Sequence, residues 1–179
     1  MKAICMVAHP DDCVIFGYHF MKHTSADWHI CYLTYDKKSE RAREISEFWH
    51  KRGITTEFLA CPDQWADTVE QYLHFDTEYF NAQIQHTVNK YHMVLTHNVD
   101  GDYGHIHHKF VHNAVSKTTV PQVYFASDFN CNLQLALDLT IYDLSELPLH
   151  ADVISQIHDR SIGRYFVTSQ AKGILNYNV

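Results

Sequence analysis

The chain has 179 residues, 46% hydrophobic and 20% charged, which gives room for one core and not for two. Its formal net charge is −7 with neutral histidines. The pair Lys51–Arg52 is too short to be a basic patch, so binding to nucleic acid is not expected. No apolar run reaches the length of a membrane span, and the first one gives way at once to "HPDD"; neither a spanning helix nor a signal peptide is expected.

Residues 2–8 (KAICMVA) form an apolar run that fits a buried strand. Residues 11–23 read as a helix with acids at its start, where they suit the helix dipole. Residues 27–35 are a second strand. Residues 39–53 are a strong helix: Ser39 can cap it, Ile45, Phe48 and Trp49 make an apolar stripe, and Gly53 ends it. Residues 55–61 are a third strand, followed by a loop at Pro62. A helix over 77–91 and a strand over 92–98 come next. A glycine-bearing turn at 100–105 leads into a helix over 107–117. Residues 121–127 are a strand, 133–144 hold one or two more, and 149–166 read as a last helix. Strands alternating with helices predict the α/β class: a single Rossmann-like domain over residues 1–179, its mostly parallel sheet flanked by helices on both faces. Sites in such sheets lie at the carboxyl ends of strands.

The cysteines (Cys5, Cys13, Cys31, Cys61 and Cys131) are odd in number, scattered and without a CxxC pair. That pattern predicts a reduced, cytoplasmic chain and disfavours a zinc–thiolate site. Of 15 histidines, His97, His105, His107, His108 and His112 crowd one short stretch.

Two polar clusters follow strands and could meet: "AHPDD" and "THNVDGDYGH". Alone, the first reads equally well as a helix start capped by Asp11 or Asp12. Alone, "HIHH" reads as a solvated run. Together they offer more. His9 and Asp12, three apart in a turn, can face one point. A helix from about Gly104 puts His105, His108 and His112 on one face, with His107 pointing elsewhere. A His, an Asp and a distant His leave a position for water, which is the open geometry of a catalytic zinc site. Asp11 then stays free to take a proton. A dication would also relieve the repulsion between the adjacent acids. Pro10 stiffens the turn, and Gly104 is expected to let backbone approach closely. Magnesium fits less well, because it prefers oxygen ligands.

These motifs, in this order, resemble the PIG-L/LmbE-like de-N-acetylase family. "AHPDD" matches its hallmark, and "GHIHH" resembles its GHxDH motif. "RAREISEFWHKRG" resembles its Arg-x-x-Glu helix ending in glycine, and "CPDQ" its Pro-Asp-Gly. The likeness covers roughly the first 130 residues and fades after "VYFAS". It implies a zinc-dependent hydrolase that removes an acetyl group from an N-acetylated sugar or sugar conjugate, giving acetate and an amine. His9, Asp12 and His108 would be the Zn2+ ligands and Asp11 the general base. His105 would be the second catalytic residue, aiding the oxyanion or the leaving amine. Arg41 would hold substrate, and Tyr103 would lie near the acyl group.

The chain departs from the pattern at Ile106 and His107, where the family carries Pro-Asp, so the acid that orients His105 or His108 is missing from its usual place. The family's C-terminal His-x-Ser-Gln is reduced to "IHDRS" around His158. Arg41 has a bland alternative, pairing with Glu44 on its own helix. His112 is expected behind the ligands or in the core, and His97 fits either role. The aromatics from Tyr72 to Phe80 favour core or interface packing over a sugar platform. Competing functions are an amidase for a non-sugar or thiol-conjugate amide, and a metal-binding module with a relict site. Asp11 argues against the latter. The expected partner is a small molecule, and a homo-oligomer is left open.

Overall fold

β1 (Lys2–Val7) is apolar along both faces, and this places it at the centre of a sheet. Ala3, Cys5 and Val7 enter one core, while Ile4, Met6 and Ala8 enter a second on the opposite side. The computed structural model describes residues 1–63, 76–126, 131–135, 144–157 and 163–175. β1 pairs in parallel with β2 (Asp27–Thr34) and β4 (Met93–Thr96). β2 pairs in parallel with β3 (Thr55–Cys61), and β4 with β5 (Gln122–Phe125). Among the described residues, β6 (Leu133–Gln134) and β7 (Arg164–Val167) complete a seven-stranded sheet of order 3-2-1-4-5-7-6, with β7 antiparallel to both neighbours. This is the expected α/β class with a mostly parallel sheet.

The helices cover both faces. On one lie α1 (Tyr18–His23), reached through a π-helical segment Cys13–Gly17, and α2 (Glu40–His50). On the other lie α3 (Thr77–Val88) and α4 (Ile106–Val115), which contribute Phe80, Ile84, Phe110, Val111 and Ala114 to the second core. α5 (Ala151–Ile157) and α6 (Ser169–Leu175) add Ile154 and Ala171 to the first. α2 forms as its sequence demands. Ser39 Oγ accepts the Ala42 N–H at 3.2 Å, and Ile45, Phe48 and Trp49 are buried. Gly53 turns the chain at φ +74°. Burial of each large side chain is worth about 1.5–3 kcal/mol.

Two expectations are corrected. The last helix does not run over 149–166: α5 is only Ala151–Ile157, and Arg164–Val167 is a strand. Gly163, at φ +71°, opens a period-two pattern in which Tyr165 and Val167 are buried and Phe166 is exposed. Tyr165 also donates its hydroxyl to the Phe16 carbonyl at 2.6 Å, tying the strand to the first core. The helix expected from residue 11 starts instead as the π-helical segment, so it is not one regular helix. Of the strands expected over 133–144, β6 is one, and 136–143 lie outside the described residues. No described helix is long and apolar enough to cross a membrane.

Candidate active site

β1 and β4 are parallel neighbours with Met6 opposite Thr96. Their carboxyl ends therefore deliver His9–Asp12 and His97–Gly104 to one place. The strand order reverses between these two strands, which is where open α/β sheets hold ligands. Neither acid caps the helix that follows. Asp12 Oδ2 accepts the His9 N–H at 2.7 Å, and the Asp11 carbonyl accepts the N–H groups of Val14 and Ile15. The capping alternative for "HPDD" is thus set aside.

Three donor groups converge. His9 Nδ1 lies 3.2 Å from His108 Nε2 and 3.3 Å from Asp12 Oδ2, and His108 Nε2 lies 3.3 Å from Asp12 Oδ1. Ligand bonds of 2.0–2.1 Å in a tetrahedral site put neighbouring donor atoms about 3.3 Å apart. Asp12 Oδ1 is buried without a hydrogen-bond donor. His9 and His108 thus face Asp12 through different oxygens, and these side chains could hold a divalent cation between them; His105 and His97 complete other donor sets around the same two histidines and Asp12. Electrostatics agrees: burial opposes it, yet the imidazoles of His108 and His9 hold the Asp12 carboxyl well below its usual range. A cation would take the place of the protons those rings share.

His108 is held from behind. Asp102 Oδ2 sits 2.9 Å from His108 Nδ1 and 2.5 Å from His97 Nδ1. Asp102 adopts φ +62° and is fixed by its N–H donating to Asn98 Oδ1 at 2.9 Å. His97 is fully buried, and its Nε2 accepts the Ala8 N–H at 3.0 Å. That bond puts the ring proton on Nδ1, facing Asp102, and leaves His97 supporting the site without a lone pair for a cation. His112 Nδ1 lies 3.0 Å from the His97 carbonyl.

Asp11 is buried, and its Oδ1 lies 3.6 Å from Arg41 Nη2. Burial first, and the Asp12 charge second, push its pKa up, against the pull of His9 and Arg41. Arg41 also lies over the Tyr35 ring at 5.4 Å. Its pairing with Glu44 is not what forms. Glu44 Oε1 is 2.8 Å from His150 Nδ1, and both Glu44 oxygens accept the Leu149 N–H.

His105 does not share a helical face with His108 and His112. It is extended (φ −65°, ψ 131°) at the N-cap of α4, where its Nδ1 accepts the His107 N–H at 3.2 Å. Its ring still reaches the cluster, 4.7 Å from that of His108 and 4.6 Å from that of His9, centre to centre. Burial, then the charges of His9 and His108, push its pKa down to about 3. The ring is neutral, and with Nδ1 accepting, its proton sits on Nε2. His107 does not point elsewhere: its Nδ1 is 3.1 Å from His9 Nε2. Asp63 Oδ1 is 3.5 Å from the same nitrogen. Tyr103 is 39% exposed at the rim, with its ring 5.1 Å from that of His108. Gly104 has nothing within 4 Å of where a Cβ would stand. It is needed for its φ of +99°, not for close approach. His158 and Tyr72 lie outside the described residues, and Phe80 is core.

Asp102 and Asp63 lie in the cluster, and sequence reasoning assigned a role to neither. Asp102 reads as part of a turn, "DGD", and Asp63 as part of a loop. Two signals were available: the missing acid at 107, and the likeness of "CPDQ" to the family's Pro-Asp-Gly, which contains Asp63.

Fold and site together define an α/β protein with a candidate metal centre at its switch point. Residues 4–119 match the family described as PIG-L, GlcNAc-PI de-N-acetylase. The chain belongs to that family of de-N-acetylase-like hydrolases. It is also 28% identical over 133 residues to the uncharacterized protein L374 of Acanthamoeba polyphaga mimivirus, over 68% of this chain and 59% of that one. The chain thus spans about three fifths of that relative's length.

Proposed function

We propose that this chain, acting as one domain over residues 1–179, is a zinc-dependent N-deacetylase that releases acetate from an N-acetylated sugar or sugar conjugate. The observation that carries the reading is that His9 Nδ1 and His108 Nε2 stand 3.2 Å apart and each 3.3 Å from one oxygen of Asp12, Oδ2 and Oδ1 respectively, with Asp11 adjacent in the chain. A cation held by these residues supplies a Lewis acid for the amide carbonyl and lowers the pKa of water. Asp11 takes the proton of the attacking water, and its raised pKa makes it a better base than an ordinary carboxylate. His105, neutral and with its proton on Nε2, donates to the developing oxyanion. Tyr103 adds a hydroxyl at the rim. Asp11 then returns its proton to the leaving nitrogen, so that amide and water become acetate and amine. Arg41, held against Asp11 on one side, presents the rest of its guanidinium to a hydroxyl, phosphate or carboxylate of the substrate. The five unpaired cysteines suit a reducing, cytoplasmic setting.

The test is acetate release from a panel of N-acetylated sugars and conjugates. Activity should disappear with a chelator and return with added Zn2+. Turnover that survives complete removal of metal rejects the reading.

A further inference from the structure

A second donor set meets the outer nitrogen of His9. Nε2 lies 3.1 Å from His107 Nδ1 and 3.5 Å from Asp63 Oδ1, and those two atoms are 3.9 Å apart. The three side chains come from three places: the loop after β1, the loop after β3 and the first turn of α4. All three atoms fall within reach of one cation, the Asp63 oxygen needing to move a few tenths of an ångström to reach tetrahedral edges of about 3.3 Å.

We propose that His9 Nε2, His107 Nδ1 and Asp63 Oδ1 form a second, weaker site for a divalent transition-metal cation, joined to the first through the His9 ring. The inference rests on the proposed inner set, His9 Nδ1 with Asp12 and His108, also holding a cation. At residue 107 an imidazole can accept the Nε2–H of His9 or, once that proton is gone, offer a nitrogen donor of the kind zinc and its neighbours favour. The proton balance is simple: the cation enters, the His9 Nε2–H proton leaves to solvent, and the ring bonds both cations as imidazolate. Charge balances too. Asp11, Asp12, Asp63, Asp102 and the imidazolate together offset two dications and Arg41. The outer site is the weaker because Asp63 is 35% exposed against 1% for Asp12. His108, by contrast, is braced by Asp102.

Equilibrium dialysis of the intact protein against Zn2+, with metal counted per chain, tests the proposal. Wild type should saturate at two equivalents, one lost first on dilution. His107→Ala and Asp63→Asn should each saturate at one, while His108→Ala should lose the tighter one. With Co2+, wild type should show magnetic coupling between two ions, and His107→Ala should not. Saturation of wild type at one equivalent overturns the proposal, leaving Asp63 as an orienting carboxylate only. If His108→Ala then abolishes that one equivalent, the inner site stands and only the outer site falls. If His108→Ala leaves it in place, the inner site falls as well. Two equivalents retained in both His107→Ala and Asp63→Asn also overturns the proposal.

Discussion

Asp102 holds His108: its Oδ2 lies 2.9 Å from Nδ1 of the ring, the nitrogen opposite the Nε2 that faces His9 and Asp12. The same oxygen grips His97, so one carboxylate at φ +62° fixes two imidazoles. A carboxylate behind a ligating histidine sets its tautomer and raises its basicity. Asp102→Asn keeps the size but can no longer accept from both rings in the same way. Metal affinity should fall roughly 10–100-fold, measured by competition with a chelating indicator. Unchanged affinity would remove Asp102 from the support of the site.

Asp11 and Arg41 make a second testable pair, 3.6 Å apart. Asp11 belongs to none of the donor sets around His9 and His108, so its loss should leave metal binding intact. Asp11→Asn should lower kcat by about 10²–10⁴-fold, the range for a positioned general base, while KM changes little. The variant should bind metal as wild type does. Near-normal kcat with full metal content would give the base role to another residue.

Most of the architecture was legible because apolar runs and helix caps are local signals. β1, β2 and α2 follow directly from "KAICMVA", "DWHICYLTY" and the Ser39-to-Gly53 stretch. The meeting of "HPDD" and "GHIHH" was also legible, since two adjacent strand ends in a parallel sheet serve one site. What was not legible depends on tertiary placement. "IGRYF" is short and apolar and reads as helix by itself; its neighbours β5 and β6 make it a strand. His107 sits about 100° round α4 from His108, yet both meet the cluster because the His9 ring offers one nitrogen to each, which no helical count shows. Asp102 carries no local pattern of its own, and the "CPDQ" motif marks Asp63 without saying what it meets; both matter because of what folds against them.

Glu44 links α2 to the segment before α5 through His150, and this link should make stability depend on pH. His150 is fully buried, with Nδ1 2.8 Å from Glu44 Oε1. Its Nε2 has no hydrogen-bond partner among the described residues. Burial lowers its pKa, the Arg41 charge adds to that, and Glu44 and Asp11 pull the other way without prevailing. The native ring is therefore neutral at pH values where a histidine in the unfolded chain, near 6.5, already binds a proton. In that window the unfolded state holds more protons, so stability is full above about pH 6.5 and falls as pH drops toward the lowered native value. Other histidines contribute slopes of both signs, so the comparison must be between variants. His150→Gln keeps a donor for Glu44 and cannot titrate. Thermal melts between pH 7.5 and pH 5 should show a Tm that declines less steeply in His150→Gln than in wild type. Parallel slopes would mean that His150 is protonated in the folded protein, with an acceptor found for its second nitrogen.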